Sequence, residues 1–431
     1  MNYLIKNGYV LSPGSNLKGK YDIVIEDDRI KLIEEEIVIH SEKDYDDIID
    51  ASGLYIFPGF VDAHCHLRTP GYEYKEDIET GTRAAAKGGF TSIACMPNTD
   101  PVADNSTVIE YIINRSREDG CVNVFPIGAI TKGLLGKELS EIGELKFAGA
   151  VGISDDGNPV EDPGIMMKAM QYASMFDISV ISHCEERSLS DGCMNEGLTS
   201  TMTGLKGIPC ACEEIMVARE LVLSQYLNLP VHIAHVSSAL SVQLIREAKK
   251  RGVRVTCETC PHYFALTEEA LEDFDTNAKV NPPLKTEADR IAIIEGLRDG
   301  TIDMIVTDHA PHHKDEKNVE FQLAANGIDG FETAVALTID ILFHQNHVPL
   351  YRIAELMSKN PSVLLSINKG VIEVGNTADL TIVDTKAEKV IDVSLFESKS
   401  KNSPFNGKKL KGTVLYTIVG GKMIVRNGIL V

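Results

Sequence analysis

The 431-residue sequence lacks any run approaching the roughly 20 consecutive apolar residues that a membrane-spanning helix requires. A secretory signal is missing too, because Lys6 and Gly8 interrupt the short apolar segment that follows Met1. These two absences argue against a membrane-embedded or secreted protein. We therefore expect a cytoplasmic location.

Excess positive charge is absent as well. The 42 Lys and Arg residues face 63 Asp and Glu residues, which gives a formal net charge of −21. Such a chain is a poor candidate for binding nucleic acid or an anionic membrane, because both carry negative charge. An anionic small molecule could bind only where the fold supplies a local cationic pocket.

A disulfide framework is not evident either. The nine cysteines are odd in number and scattered, which is typical of reduced thiols. Cys257 and Cys260 have the spacing of a redox or zinc pair, but no second cysteine pair accompanies them. We interpret them as plain thiols.

Internal repeats and low-complexity segments are also missing, so the fold has to be inferred from the order of local patterns. Helical patterns at 78–87 and 239–251 lead into apolar strands at 91–96 and 253–259. Strands that alternate with helices in this way are typical of a (β/α)8 TIM barrel of about 250 residues. We predict that residues 53–359 form this barrel.

The two ends of the chain consist of short apolar segments separated by turn residues. We predict strands at 3–5, 9–11, 22–25, 30–33 and 36–40, and again at 379–384 and 413–425. Their common style predicts one small β-sandwich domain formed jointly by residues 1–52 and 360–431. The polar segment Ser394–Lys411 predicts a surface loop.

The most informative segment joins the first end to the barrel. The apolar run at 55–61 ends in four polar residues spaced by two, Asp62, His64, His66 and Arg68. On a strand all four share one face, because successive side chains alternate, and the same alternation directs Cys65 away from them. Two imidazoles and a carboxylate suit zinc, and a guanidinium suits a carboxylate ligand. One His-x-His pair alone leaves a purely structural role open.

Four further apolar segments end in residues that could bind a metal. These residues are Asp155 with Asp156, His183, His235, and Asp308 with His309 and His312. Ligands at the carboxyl ends of successive strands are what a TIM barrel offers at its active-site face. Either adjacent aspartate could bridge two metals, although Asp-Asp-Gly is also an ordinary turn sequence.

Seven short motifs occur in the order found in the metal-dependent amidohydrolase superfamily. They are Asp62–Arg68, Met96–Thr99, Ser154–Gly157, Ser182–Glu185, Ala234–Ser237, Asn281–Leu284 and Thr307–His312. Within the superfamily the chain resembles the bacterial two-zinc dihydroorotases over essentially its whole length. The resemblance implies a zinc-dependent cyclic amide hydrolase that interconverts (S)-dihydroorotate and N-carbamoyl-L-aspartate in pyrimidine biosynthesis.

The resemblance also implies the roles of individual residues. Two zinc ions would be bound by His64, His66, Asp156, His183, His235 and Asp308, with Asp156 as the bridge and Asp308 as the group that moves a proton. Substrate would contact His66, Arg68, Asn98, Asn281, His312, Asn326 and Gly327. The remaining histidines near these motifs are predicted not to bind metal: His232, His262, His309 and His313.

Two positions depart from the family pattern. Asn326 stands where the family usually has an aromatic residue, and Lys285 stands where it usually has arginine. The resemblance further implies a homodimer and leaves open an association with aspartate transcarbamoylase.

Two alternative functions are compatible with parts of this pattern. One is a hydantoinase or allantoinase, and the other is an inactive scaffold that pairs with aspartate transcarbamoylase. Arg68 argues against the first, as does the lack of a lysine at the strand end where many relatives carry a carboxylated one. The complete set of six predicted metal ligands argues against the second.

Overall fold

The structure is a computed structural model that describes residues 2–39 and 44–431. Its N-terminal strands are β1 (Asn2–Ser12), β2 (Leu17–Glu26), β3 (Arg29–Glu34), β4 (Asp47–Asp50) and β5 (Tyr55–Pro58). The central strands are β6 (Phe60–Cys65), β7 (Phe90–Cys95), β8 (Asn123–Gly128), β9 (Gly152–Ser154), β10 (Ser179–Ser182), β11 (Met194–Asn195), β12 (Gly207–Ile208), β13 (Val231–Ile233), β14 (Val255–Thr259) and β15 (Met304–Ile305). The C-terminal strands are β16 (Leu380–Val390), β17 (Lys409–Val419), β18 (Lys422–Arg426) and β19 (Ile429–Leu430).

The α-helices lie mainly between the central strands. Their bounds are α1 (Ile78–Lys87), α2 (Ser106–Asp119), α3 (Ile142–Ala148), α4 (Pro163–Ser174), α5 (Leu198–Thr203), α6 (Ala211–Leu227), α7 (Ala239–Lys250), α8 (Pro261–Ala265), α9 (Glu287–Asp299), α10 (Lys314–Lys317), α11 (Phe331–Leu337), α12 (Leu350–Ala354) and α13 (Asn360–Leu364). None of the helices in the described ranges is long and apolar enough to cross a membrane.

A parallel barrel forms the centre of the molecule and confirms the predicted fold class. Its eight strands pair in the order β6, β7, β8, β9, β10, β13, β14, β15. Just beyond β15, a parallel bridge pairs His309 with Cys65 of β6, and the amide of Asp308 donates to the carbonyl of His64 at 3.0 Å. These contacts close the barrel and place the carboxyl ends of its first and last strands side by side.

Helix α7 illustrates how the sequence places an outer helix directly after a strand end. Its N-cap residue, Ser238, accepts a hydrogen bond from the amide of Ser241 at 3.1 Å, which satisfies one of the free amides of the first turn. Val242, Ile245 and Ala248 are buried along one helical face. Because α7 begins at Ala239, four residues after His235, the helix restrains the segment that follows β13.

Both termini contribute to a second, mostly antiparallel sheet, as predicted. Within the described residues it has nine strands, with β5 between β1 and β16 and with β4 paired to β1. Ile5, Ile23, Ile56, Leu380 and Ile418 are fully buried in its own core. The predicted strand at 36–40 is wrong for residues 36–39, which form no strand, and His40 lies outside the described residues.

The segment predicted as a surface loop, 394–411, reaches the mouth of the barrel instead of lying wholly on the surface. Ser398, Ser400 and Asn402 are buried, while the alternating Lys399 and Lys401 are exposed. A polar sequence can be buried where backbone groups of neighbouring loops satisfy its hydrogen bonds. The sequence alone could not reveal those partners, because they lie far away along the chain.

Candidate active site

The carboxyl ends of the barrel strands bring the six predicted metal ligands together. Their positions are His64 within β6, His66 just after it, Asp156 after β9, His183 after β10, His235 after β13 and Asp308 after β15. All six side chains are buried or nearly so. The predicted convergence of strand ends therefore occurs within one small volume.

Asp156 lies at the centre of the four histidines. Its Oδ1 is 3.4 Å from Nε2 of His64 and 3.6 Å from both Nδ1 of His183 and Nε2 of His235. Its Oδ2 is 3.5 Å from Nε2 of His66. Burial opposes its ionisation, but the charge of His64 and the nearby rings of His183 and His235 lower the pKa of Asp156 well below its ordinary value.

Asp308 contacts the same nitrogens of His64 and His66 as Asp156 does. Its Oδ1 is 3.1 Å from Nε2 of His66 and 3.6 Å from Nε2 of His64. Burial again opposes ionisation, but the hydrogen bond from His66 and the charge of His64 lower the pKa of Asp308 below its ordinary value. The second carboxylate of the cluster is therefore also ionised, and the cluster favours positive charge at its centre.

The residues present fit a bound metal. Among the described residues, three buried atoms in this cluster lack a hydrogen-bond partner: Nε2 of His64, Oδ1 of Asp156 and Nδ1 of His235. Buried polar atoms without partners are uncommon unless a water or an ion satisfies them. Imidazole nitrogens and carboxylate oxygens are also the donor set that zinc prefers.

Two groups of three ligands have donor atoms within 4.8 Å of one another: His64 with His66 and Asp308, and His64 with Asp156 and His235. A third group combines Asp308 with Cys260 and His262. Burial raises the pKa of the Cys260 thiol well above its usual range. This third group is therefore a poorer metal site, since zinc binds the thiolate.

Three site residues have backbone conformations that side chains rarely adopt. The φ angles of Arg68, His235 and Asp308 are 60°, 33° and 44°. A left-handed residue other than glycine costs about 1–2 kcal/mol, and such residues cluster at functional sites. Each of the three ends or follows a barrel strand, where the unusual turn directs its side chain across the mouth.

A cavity of about 220 Å³ opens beside this cluster. All seven residues predicted to contact substrate line it: His66, Arg68, Asn98, Asn281, His312, Asn326 and Gly327. Four predicted metal ligands, Asp156, His183, His235 and Asp308, line it as well. Only the fully buried His64 lies behind its wall.

The cavity also has a cationic wall, formed around Arg68, which is attached to one loop. Nε of Arg68 donates to the carbonyl of Pro311 at 3.2 Å, and its Nη2 lies 3.5 Å from Nε2 of His312. Nε2 of His312 donates in turn to the carbonyl of Asn326 at 2.8 Å. Burial and the nearby charges of Arg68 and Lys317 lower the pKa of His312 to about 2, so its ring is neutral.

Two asparagines of the cavity are held by ionisable neighbours. Oδ1 of Asn98 accepts from Nδ1 of His66 at 2.9 Å, so the opposite ring nitrogen, Nε2, faces the carboxylates. Nδ2 of Asn281 donates to Glu185 at 3.1 Å, and the same carboxylate oxygen lies 2.9 Å from Nε2 of His183. Lys285, by contrast, does not line the cavity, although it is buried nearby.

Glu258 is a site residue that the sequence analysis missed. It is fully buried in β14, and its carboxylate accepts from Nδ1 of His64 at 2.7 Å and from Nε2 of His232 at 3.0 Å. Burial opposes its ionisation, but the charge of His64 and the hydrogen bond from His232 lower the pKa of Glu258 to about 2. The available signal was an acidic residue inside a buried strand. The sequence analysis considered only the neighbouring Cys257 and Cys260 in this segment.

Two aspartates near the ligand cluster, Asp155 and Asp62, bond to neighbouring loops and strands of the barrel. Asp155 accepts from the amides of Ile130 at 2.7 Å and Thr131 at 3.0 Å. Burial raises the pKa of Asp62 to about 7, although it accepts hydrogen bonds from Thr307.

His309 lies beside the proton-transfer candidate but points elsewhere. Its Nδ1 is 3.0 Å from Asp329, and its ring stacks on Phe331 at 4.1 Å. His313 is part-exposed outside the reaction cavity. Neither ring faces the ligand cluster.

The nine cysteines are all free in the structure, including the Cys257–Cys260 pair. The Sγ atom of Cys65 donates to the carbonyl of Ala94 at 3.2 Å. It therefore contacts a neighbouring barrel strand and not the ligand cluster.

A parallel barrel with this site at its carboxyl ends defines a metal-dependent amidohydrolase that opens cyclic amides. The L-hydantoinase (dihydropyrimidinase) of Arthrobacter aurescens is similar, with a TM-score of 0.90, 25% identity, and coverage of 100% of this chain and 97% of that one. The dihydropyrimidinase of Brevibacillus agri, with a TM-score of 0.87, 23% identity and coverage of 100% and 96%, shares the fold.

Sequence relatives identify the family within that class. A family described as Dihydro-orotase-like matches residues 53–241. The dihydroorotase of Acetivibrio thermocellus is 63% identical over 428 residues, which are 99% of this chain and 100% of that protein. The dihydroorotase of Ruminiclostridium cellulolyticum is 59% identical over 431 residues, the full length of both. The chain belongs to the dihydroorotase family.

Proposed function

We propose that this chain catalyses the reversible hydrolysis of (S)-dihydroorotate to N-carbamoyl-L-aspartate in pyrimidine biosynthesis. The observation that carries the proposal is the position of Arg68, a half-buried guanidinium that lines the same cavity as the carboxylate and histidine cluster. A substrate that carries both a cyclic amide and a carboxylate can place one group at each wall. In a chain of net charge −21, an anionic substrate depends on such a local cation.

We propose that the ligand cluster binds two zinc ions. His64 and His66 would bind one ion, His183 and His235 the other, and Asp156 would bridge them, which is supported by the distances from its two oxygens to these rings. Zinc bound there would polarise the amide carbonyl and lower the pKa of the attacking water.

Asp308 is the residue that would move the proton. It is ionised, lies at the cavity wall and bonds to His66, so its carboxylate can accept a proton from the attacking water. The C–N bond of the ring amide then breaks as the new C–O bond forms, and Asp308 returns the proton to the leaving nitrogen. The new carboxylic acid ionises at neutral pH, so hydrolysis releases a proton and is favoured as pH rises.

Arg68, Asn98 and His312 would bind the substrate carboxylate. The guanidinium supplies paired donors that match a carboxylate, and the neutral His312 adds contact without competing charge. Asn281, Asn326 and Gly327 would contact the ring. Asn326 replaces the usual aromatic residue, so ring stacking at that position is absent and backbone contact takes its place.

We also propose the location, oligomeric state and domain division of the chain, from its composition, element order and family resemblance. The protein would be a cytoplasmic homodimer whose barrel domain spans 53–359 and whose β-sandwich domain comprises 1–52 and 360–431. We further propose an association with aspartate transcarbamoylase. The cavity described above is lined by residues of this chain alone.

The decisive experiment combines metal analysis with substrate assays on the purified protein. We expect about two zinc ions per chain, turnover of dihydroorotate and carbamoyl aspartate in both directions, and little turnover of hydantoin. Efficient hydantoin hydrolysis without dihydroorotate turnover would instead assign a hydantoinase. Absence of bound metal together with no turnover of any of these substrates would favour the scaffold function.

A further inference from the structure

The loop that follows β16 contributes a buried asparagine to the rear of the substrate cavity. Asn402 is 3% exposed, although it lies in a polar segment between the exposed Lys401 and the half-buried Pro404. A buried amide of this kind has to be satisfied by hydrogen bonds, because leaving its groups unpaired costs about 1–3 kcal/mol each. Its partners therefore indicate what it is there to hold.

Every hydrogen-bond partner of the Asn402 side chain is a backbone group of two loops that line the cavity. Its Nδ2 donates to the carbonyl of Gly327 at 2.9 Å and to the carbonyl of Ala310 at 3.2 Å. Its Oδ1 accepts from the amide of His312 at 3.2 Å. Its own carbonyl accepts from the amide of Asp329 at 2.9 Å.

These two loops carry the cationic wall of the cavity. Ala310, His312 and Gly327 line it, whereas Asn402 lies behind them and does not. Arg68 is attached to the first loop through the carbonyl of Pro311. A displacement of either loop would therefore change the spacing between Arg68 and the backbone around Gly327.

The backbones of the two loops are closely packed. The amide of Ala310 donates to the carbonyl of Ile328 at 2.9 Å. Gly327 has a φ of +145°, and a Cβ atom there would lie 2.6 Å from the carbonyl oxygen of Ala310. The loops are in direct contact on the cavity side, and Asn402 joins them from the rear.

We propose that Asn402 is a positioning residue that sets the geometry of the carboxylate-binding wall. This inference rests on the proposed function, since it assigns a role in binding the substrate carboxylate. Asn402 touches neither the metal ligands nor the cavity, so it acts through His312, Ala310 and Gly327. Its loss should weaken substrate binding and leave the metal cluster intact.

The test uses two substitutions of Asn402 with a matched control. Asn402→Asp keeps the acceptor for His312 but turns a carboxylate oxygen toward two carbonyls, and Asn402→Ala removes all three side-chain bonds. Ser403→Ala is the control, because the adjacent Ser403 is equally buried and its hydroxyl has no hydrogen-bond partner. Metal content, melting temperature, kcat and KM are measured for dihydroorotate and for dihydrouracil, which lacks the carboxylate.

We expect KM for dihydroorotate to rise about tenfold or more in both Asn402 variants, with kcat, metal content and the KM for dihydrouracil close to the parent. Ser403→Ala should match the parent throughout. Parental KM values in folded Asn402 variants would overturn the proposal, and so would equal losses for both substrates. If Asn402→Ala fails to fold, the isosteric Asn402→Asp decides between these outcomes. A parent enzyme that does not convert dihydroorotate would instead contradict the proposed function.

Discussion

The two walls of the reaction cavity are built in different ways. The metal-ligand wall consists of side chains at the ends of barrel strands, where parallel pairing fixes the backbone on both sides. The cationic wall consists of Arg68, His312, Asn326 and Gly327, which lie on loops after the strands. Those loops contact each other and Asn402, which lies 75–92 residues further along the chain than the residues it bonds.

The comparison shows where rigidity comes from in this fold. Strand ends inherit their geometry from the barrel, so the proposed water activation would take place beside backbone that is paired with neighbouring strands. The loops are more free to vary between enzymes that share the barrel. Substrate choice can therefore change at one wall while the reaction at the other is kept.

The largest effect should come from breaking the centre of the metal-ligand wall. Asp156→Asn removes the charge that faces four histidines, and we expect loss of at least one zinc ion and of nearly all activity. Asp155→Asn is the matched control, because an amide can still accept from Ile130 and Thr131, and it should retain both metals. Elemental analysis of both variants checks the choice between the adjacent aspartates.

The same wall can be tested without mutation. A carboxylate from Asp156 makes a carboxylated lysine unnecessary, so metal-depleted enzyme should recover full activity with zinc in bicarbonate-free buffer. Recovery only after bicarbonate is added would show that a modified lysine is the bridge, and the assignment of Asp156 would be wrong.

The next largest effect concerns proton transfer at the metal-ligand wall. Asp308→Asn should retain most of the zinc but lower kcat by about 10²–10⁴-fold, because an amide cannot accept and return the proton. Activity within a few-fold of the parent would assign the base elsewhere. His309 is a poor substitute, since its ring is held by Asp329 and stacked on Phe331.

The difference between the walls also explains what the sequence could reveal. The metal ligands follow apolar strands, so period-two spacing at His64 and His66 and the strand-end positions of His183 and His235 predict their convergence. The same spacing in the sequence singled out Arg68, although in the structure β6 ends at Cys65 and Arg68 follows it with a φ of 60°. The barrel and the joint terminal sheet follow from element order alone.

Other features could not be predicted because they depend on contacts distant in sequence. Asn402 stands in a polar segment with no periodic pattern, and its buried position arises from bonds to residues 310, 312 and 327. Glu258 is hidden inside an apolar strand and is explained only by the rings of His64 and His232. The assigned site roles themselves stay predictions until the variants are measured.

A smaller effect is expected at the cationic wall. Arg68→Ala removes a charge-assisted pair worth roughly 1.5–3 kcal/mol, which corresponds to about one to two decades in kcat/KM for dihydroorotate. Dihydrouracil, if it is turned over, should be affected much less. Equal losses for both substrates would make Arg68 a structural residue of the loop that it bonds through Pro311. Arg68→Lys sharpens the test, because it keeps the charge and removes the planar pair of donors.

The smallest effect should come from behind the metal-ligand wall. Glu258→Gln keeps one acceptor for His64 or His232 but removes the negative charge that orients both rings. Outer partners of metal-binding histidines typically contribute 10–100-fold to metal affinity or activity, and the retained acceptor places this change near the lower limit, about tenfold. Competition with a zinc chelator measures the change directly, and KM for dihydroorotate should stay close to the parent because Glu258 does not line the cavity. A change in KM without a change in zinc affinity would mean that the two walls are coupled through β14, and the separation drawn between them would no longer hold.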